Sequence, residues 1–208
     1  MSTSLPVYTI GHSTRSIAAF VELLRVGGVE LVVDIRSIAR SRTNPQYNLD
    51  RLPAALAEYQ IGHTQIPQLG GLRKKSTAVP PEVNNYWINR SFHNYADYAL
   101  SGEFRTGLDR LLELGAGRRL AIMCAEAVWW RCHRRIVADC LLHKGREVFH
   151  LMDRSRRPGS DERCRARRRG RPCLSRYSCE LSSAATWSRS AAPSWSLKRL
   201  PTILWASL

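Results

Sequence analysis

Runs of strand length alternate with stretches of helical period from residue 7 to residue 151, and that alternation leaves few architectures open. "VYTI" (7–10), "LVVDIR" (31–36), "HTQIP" (63–67), "LAIM" (120–123) and "EVFHL" (147–151) read as strands. Between the first two, Ile17, Phe20, Val21 and Leu24 recur at i, i+3, i+4 and i+7 behind the candidate caps Ser13 and Thr14, and Gly27-Gly28 ends the run. Leu52, Ala55, Leu56 and Tyr59 repeat the spacing behind Asp50, with Pro53 tolerable only in a first turn. Phe92, Tyr95, Ala96 and Ala99 give a third helix, Phe104, Leu108, Leu111 and Leu112 a fourth, and Ile136, Val137, Cys140 and Leu141 a fifth. Parallel neighbours need crossovers, so the pattern predicts an α/β fold: a three-layer sandwich with a mostly parallel sheet of about five strands and helices on both faces. Residues 68–90 form the one long irregular connection, and connections of that length tend to serve function.

Composition limits the remaining choices. At 208 residues, 44% apolar and 24% charged, the chain suits one well-cored domain with additions, and no apolar run approaches the ~20 residues of a membrane helix. The start carries no secretory leader, so a cytoplasmic protein with its six cysteines as thiols is expected. Net charge is +15, unevenly spread: residues 1–152 hold 19 Lys and Arg against 13 Asp and Glu, while residues 153–208 hold 13 against 4. Past Asp153 periodicity stops, and an Arg-, Ser-, Pro-, Cys- and Trp-rich text follows that favours disorder. A basic arm for polyanions is one reading of it. Twelve arginines against one lysine is also what a gene rich in G and C yields out of frame, and a translated frameshift fits better.

In an open parallel sheet, ligands bind beyond the carboxyl ends of the strands, and the chemistry-bearing residues fall there. Gly11-His12-Ser13 follows the first strand and leads into a helix whose free N–H groups suit an anion. Asp34-Ile35-Arg36 follows the second, with Arg40, Arg42, Asn44 and Gln46 beyond it. Gly70-Gly71 with Arg73, Lys74 and Lys75 follows the third, and "MCAEAVWWRCHRR" (123–135) the fourth.

Five stretches, "TIGHSTRS" (9–16), "VDIRSIARSRTNPQYN" (33–48), "LGGLRK" (69–74), "FHNYADYA" (92–99) and "MCAEAVWWRCHR" (123–134), occur in an order that resembles the bacterial and archaeal domain of unknown function 488 (DUF488). The resemblance spans about residues 5–152 and leaves the tail outside. It implies a compact α/β domain and, since the family has no settled activity, brings no catalytic role with it.

Within the last stretch, Cys124 follows a strand, where a nucleophile often stands, and Arg131 and Arg134 could favour its thiolate. Six residues, "AEAVWW", separate Cys124 from Arg131, one more than a phosphatase cradle admits; Glu126 would repel a phosphate and the tryptophans would crowd it. A rhodanese-like ring of amides meets the same objections, and a buried core cysteine is the plain alternative. Cys132 shares a helical spacing with Ile136 and Cys140 and reads as core. His133 and Arg134 would sit in a first helical turn, where cations oppose the helix dipole unless an anion or Glu126 compensates them. A metal site from His12, Cys124, Cys132 and His133 lacks any Cys-x-x-Cys signature, so neither metal nor cofactor is assigned. Asp34 either caps a turn, pairs with Arg36 or works as a base, and His12 is as suited to a cap or the core edge as to acid–base work.

The leading reading is a domain that binds or processes a small anionic, phosphate-bearing, nucleotide-like ligand. His12, Ser13, Arg36, Asn44, Arg73 and Arg134 bind it, and Asp34 or Glu126 serves as general base or carboxylate nucleophile. A thiol-dependent enzyme built on Cys124 competes with it. A non-catalytic nucleic-acid-binding or regulatory module, using Arg40, Arg42, Arg73, Lys74 and Lys75, is a further alternative. No membrane partner is expected, and the oligomeric state is left open. For the tail, translating the gene in its other two frames is expected to restore patterned sequence after Leu151; if neither frame does, the frameshift reading falls.

Overall fold

The computed structural model describes residues 5–152; the Arg- and Ser-rich tail, with the expectations placed on it, lies outside the described residues. The chain runs β1 (Val7–Gly11), α1 (Ile17–Val26), β2 (Leu31–Asp34), α2 (Leu52–Ala57), β3 (Gly62–Gln65), α3 (Arg90–Tyr98), α4 (Gly102–Leu114), β4 (Leu120–Cys124), α5 (Arg134–His143) and β5 (Val148–Leu151). Single 3-10 turns stand at Pro45–Tyr47, Pro67–Leu69 and Trp129–Arg131. The five strands form one sheet in the order β3-β2-β4-β1-β5, every pairing parallel.

Side-chain alternation along the strands divides the core in two. Leu31, Val33, Leu120 and Ile122 face Phe104, Leu108, Leu111, Ile136 and Leu141 of α4 and α5. Val32, Ala121 and Met123 face Phe20, Val21 and Leu24 of α1 and Leu52 and Leu56 of α2. Helices therefore cover both faces, as the near-continuous apolar text of β2 and β4 requires. α1 carries the chain from β1 across one face to β2, and α5 carries it from β4 across the other face to β5. The two connections leave the carboxyl ends of the adjacent strands β1 and β4 for opposite faces, each passing over the other's strand. The carboxyl edge is the usual ligand position in such sheets.

Local chemistry moves several boundaries from the predicted ones. β2 stops at Asp34, two residues early, because the Asp34 carboxylate accepts the Arg36 backbone N–H at 3.0 Å and turns the chain out of the sheet. α1 is capped by Ser16, whose hydroxyl accepts the Ala19 N–H, rather than by Ser13 or Thr14; Ser13 sits at φ 50° and turns the chain into the helix. The long connection is fastened along its length: Tyr95 and Tyr98 hydroxyls donate to the Leu69 and Gln68 carbonyls, both at 2.7 Å, and Asn84 donates to buried Asp97 at 2.8 Å. Among the described residues, no helix is long and apolar enough to cross a membrane.

Ile122 lies at the centre of the sheet, fully buried, whereas Val26 at the end of α1 is 80% exposed. Ile122→Ala is expected to lower the unfolding free energy by about 2–5 kcal/mol and Val26→Ala to change it by under about 0.5 kcal/mol, read by urea unfolding.

Candidate functional site

At the carboxyl edge, β1 and β4 stay paired beyond their ends: the His12 N–H donates to the Cys124 carbonyl and the Ser13 N–H to the Ala125 carbonyl, each at 2.9 Å. Gly11 makes this approach possible. A Cβ there would stand 1.7 Å from the Glu126 carbonyl oxygen and 2.9 Å from Arg134 Nη2, so any side chain would force the two loops apart. Two buried ionic assemblies occupy the rim.

The first joins β1 to β2. Asp34 accepts Arg36 Nε at 2.9 and 3.0 Å and Nη2 at 2.6 Å, Arg36 Nη2 also donates to the Tyr47 carbonyl at 2.7 Å, and Nη1 reaches His12 Nε2 at 3.2 Å. The His12 ring stacks on Tyr47 at 4.2 Å and donates from Nδ1 to the Ser13 carbonyl at 2.8 Å. Burial is the main cause that holds His12 neutral, with its pKa pushed down to about 4, and the Arg36 charge adds to it. Both alternatives for Asp34 as a turn cap and as the Arg36 partner are thus realised together.

The second joins β4 to α5. Cys124 Sγ and Cys132 Sγ are 2.7 Å apart. Cys132 Sγ also stands 3.4 Å from His133 Nδ1 and accepts the Arg134 N–H at 3.5 Å, while His133 Nε2 donates to the Ile35 carbonyl at 3.1 Å. The Arg134 side chain is 1% exposed, donates to the Glu126 carbonyl and engages both sulfurs. Burial opposes ionisation of Cys132, but hydrogen bonds from Cys124 and His133 and the charges of His133 and Arg134 overcome it and push its pKa down to about 3. Cys124 moves the opposite way: burial and its hydrogen bond to Cys132 hold it protonated. The two sulfurs titrate as a pair, and the groups at the head of α5 favour the negative charge on Cys132 over Cys124.

This placement corrects one reading. Cys132 is buried, as a core residue would be, but it stands outside the helical face: it ends the Trp129–Arg131 turn, and α5 begins at Arg134. Its sulfur instead takes the anion's position at the head of α5, among the cations His133, Arg134 and Arg135. Of the four donors weighed for a metal, the structure brings Cys124, Cys132 and His133 within 4.8 Å of one another, and His12 goes to Arg36 instead. Three soft donors of this kind could hold a thiophilic ion, though Arg134 already supplies a cation to both sulfurs.

The other predicted residues scatter. Arg73 is committed to its own loop, donating to the Gly70, Pro67 and Gln68 carbonyls and lying 3.6 Å over the Tyr98 ring. Glu126 is exposed, and its carbonyl rather than its carboxylate meets Arg134. Asn44 is half-buried at the head of the Pro45–Tyr47 turn, and Ser13 is half-buried beside His12. The irregular connection closes over the sulfurs: Gly71 packs so tightly that a Cβ would lie 2.5 Å from His133 Nδ1. On the other side, Trp129 stacks on His150 at 4.1 Å, and His150 Nδ1 meets Thr9 Oγ1 at 2.7 Å. Burial, with the Arg134 charge, pushes the His150 pKa down to about 3.

Folded His12 and His150 stay neutral where an unfolded histidine, with its value near 6.5, takes up a proton. Stability from these groups is present above about pH 6.5 and is lost as pH falls towards 4, with Cys132 acting in the same direction. The urea midpoint is expected to fall across that window, with a shallower slope in His12→Gln; a midpoint independent of pH would contradict the buried neutral state.

A family model described as domain of unknown function DUF488 matches residues 16–141. The matched span holds Asp34, Arg36 and the whole stretch from Cys124 to Arg134, and begins after His12 and Ser13. No curated protein and no solved structure matches the chain.

Proposed function

We propose, from the premise that the chain belongs to the DUF488 family, a domain of unknown function, that it is a thiol-dependent enzyme with Cys132 as nucleophile and Cys124 as partner thiol. The observation that carries this reading is the Cys132 sulfur at the head of α5, hydrogen-bonded by Cys124, His133 and the Arg134 N–H. A thiolate is the reactive form of cysteine, and helix heads with adjacent cations are where proteins sustain one. His133 sets one ring nitrogen on the Ile35 carbonyl and the other beside the Cys132 sulfur, where it can hand a proton to a leaving group.

Carboxylate chemistry has less support. Asp34 gives its oxygens to Arg36 and Glu126 extends to the surface, so neither is poised against a buried substrate. The anion-binding expectation keeps a narrower form. Arg36, Arg73 and Arg134 donate to internal groups, but Arg40, Arg42, Lys74, Lys75 and Arg131 are exposed on loops that follow the strands' carboxyl ends and favour an anionic or phosphate-bearing molecule there. Such binding would weaken steeply with salt.

The test is the far-ultraviolet absorbance of thiolate at about pH 6, well below the ordinary thiol value of about 8.5. Wild type is expected to show one thiolate, Cys124→Ser to retain most of that signal, and Cys132→Ser to lose it. A wild-type spectrum without thiolate overturns the assignment.

A further inference from the structure

We infer that the Cys124–Cys132 pair is a peroxide-reducing centre, in which Cys132 attacks hydrogen peroxide and Cys124 closes a disulfide onto it. The inference rests on the thiol reading and adds the substrate class. Three observations carry it.

The first is proximity. Two sulfurs 2.7 Å apart, on the end of β4 and the approach to α5, are already in contact and need only sub-ångström closure to bond at about 2.05 Å. The second is access. Cys124 is 2% and Cys132 3% exposed, with Gly71 packed on the His133 ring, so a protein disulfide cannot present itself to either sulfur and the smallest oxidants are favoured. The third is a set of unsatisfied buried hydrogen-bonding atoms. Arg134 Nε, on a side chain 1% exposed, is buried without a partner, as are Trp129 Nε1 and His150 Nε2 of a stacked pair that feels the Arg134 charge. Buried donors and acceptors of this kind are satisfied by a small polar molecule, and hydrogen peroxide both donates and accepts.

The chemistry balances. The Cys132 thiolate attacks one peroxide oxygen; an S–O bond forms, the O–O bond breaks, and the leaving hydroxide takes a proton from His133 to become water. Cys132 is then a sulfenic acid. The Cys124 sulfur attacks that sulfur; the S–S bond forms, the S–O bond breaks, and hydroxide leaves with the Cys124 proton as a second water. The two sulfurs together lose two electrons and peroxide gains them. A small-molecule thiol, entering by exchange, returns the pair to its reduced form. Arg134 beside both sulfurs stabilises the negative charge that develops on the departing oxygen.

The experiment treats the reduced full-length chain with equimolar hydrogen peroxide, quenches with an alkylating agent under denaturing conditions and maps tryptic peptides. Cleavage after Arg131 separates the two cysteines, so the expected product is peptide 120–131 joined to peptide 132–134 with the loss of two hydrogens. This oxidation is expected at least about tenfold faster than that of the same two cysteines in the chain unfolded by urea, where they are ordinary thiols. Cys124→Ser is expected to leave a sulfenic acid on Cys132 that a cyclic 1,3-diketone traps on unfolding, and Cys132→Ser to abolish the fast phase. Oxidation no faster than in the unfolded chain, in a folded chain that still shows its thiolate absorbance, overturns the peroxide centre and leaves the thiol reading standing. Loss of both signals removes the two together.

Discussion

A guanidinium buried to 1% exposure must be balanced where it stands, and the balance of Arg134 organises the carboxyl edge of this sheet. Removing such a charge from water costs several kcal/mol unless neighbours compensate it. The compensation comes from two strands and the loop after one of them: the Glu126 carbonyl from the loop after β4, the sulfurs of Cys124 and Cys132, and the close approach that Gly11 allows at the end of β1. Each partner constrains another. Gly11 lets the β4 loop approach, the loop brings the Glu126 carbonyl to Arg134, and Arg134 sustains negative charge on the sulfur that caps its own helix.

The topology explains why this happens between β1 and β4. Their connections leave for opposite faces, through α1 and α5. The head of α5 therefore stands at the middle of the carboxyl edge, and whatever lies there must satisfy it. Here an internal sulfur does so, with Gly71 packed on the neighbouring His133 ring.

Much of the fold was legible because it depends on local rules. The five strands and five helices follow from apolar period, and the separate cores follow from strict alternation in β2 and β4. Boundaries were less legible where a side chain ends an element, as Asp34 ends β2 by capturing the Arg36 N–H. The site was read in part. Loops far apart in sequence meet along one rim at His12, Asp34, Arg36 and Cys124, whereas Glu126, expected with them, is exposed and contributes only its carbonyl. Cys132 was assigned to the core because its spacing from Ile136 and Cys140 fits a helical face, although α5 starts two residues later. A signal was present: a helix opening on His133, Arg134 and Arg135 with no acidic residue in its first turn needs an anion, and Cys132 is the nearest group that can become one.

The two ionic assemblies on the rim differ in a way that separates scaffold from chemistry. Asp34 and Arg36 meet through short oxygen–nitrogen hydrogen bonds, and every branch of the guanidinium has a partner, so the pair is complete and resists exchange. Its effect is geometric: it fixes His12 against Tyr47 and ties β2 to β1. Cys132 is held by longer and softer contacts, at 3.4 and 3.5 Å to nitrogen, and Arg134 keeps an Nε without a partner. An assembly stabilised by charge but incompletely hydrogen-bonded retains affinity for one more small polar group, whereas a saturated one does not. The reactive position thus falls to the sulfur pair, and the carboxylate that looked most like a base in the sequence becomes the strut that holds the site in shape.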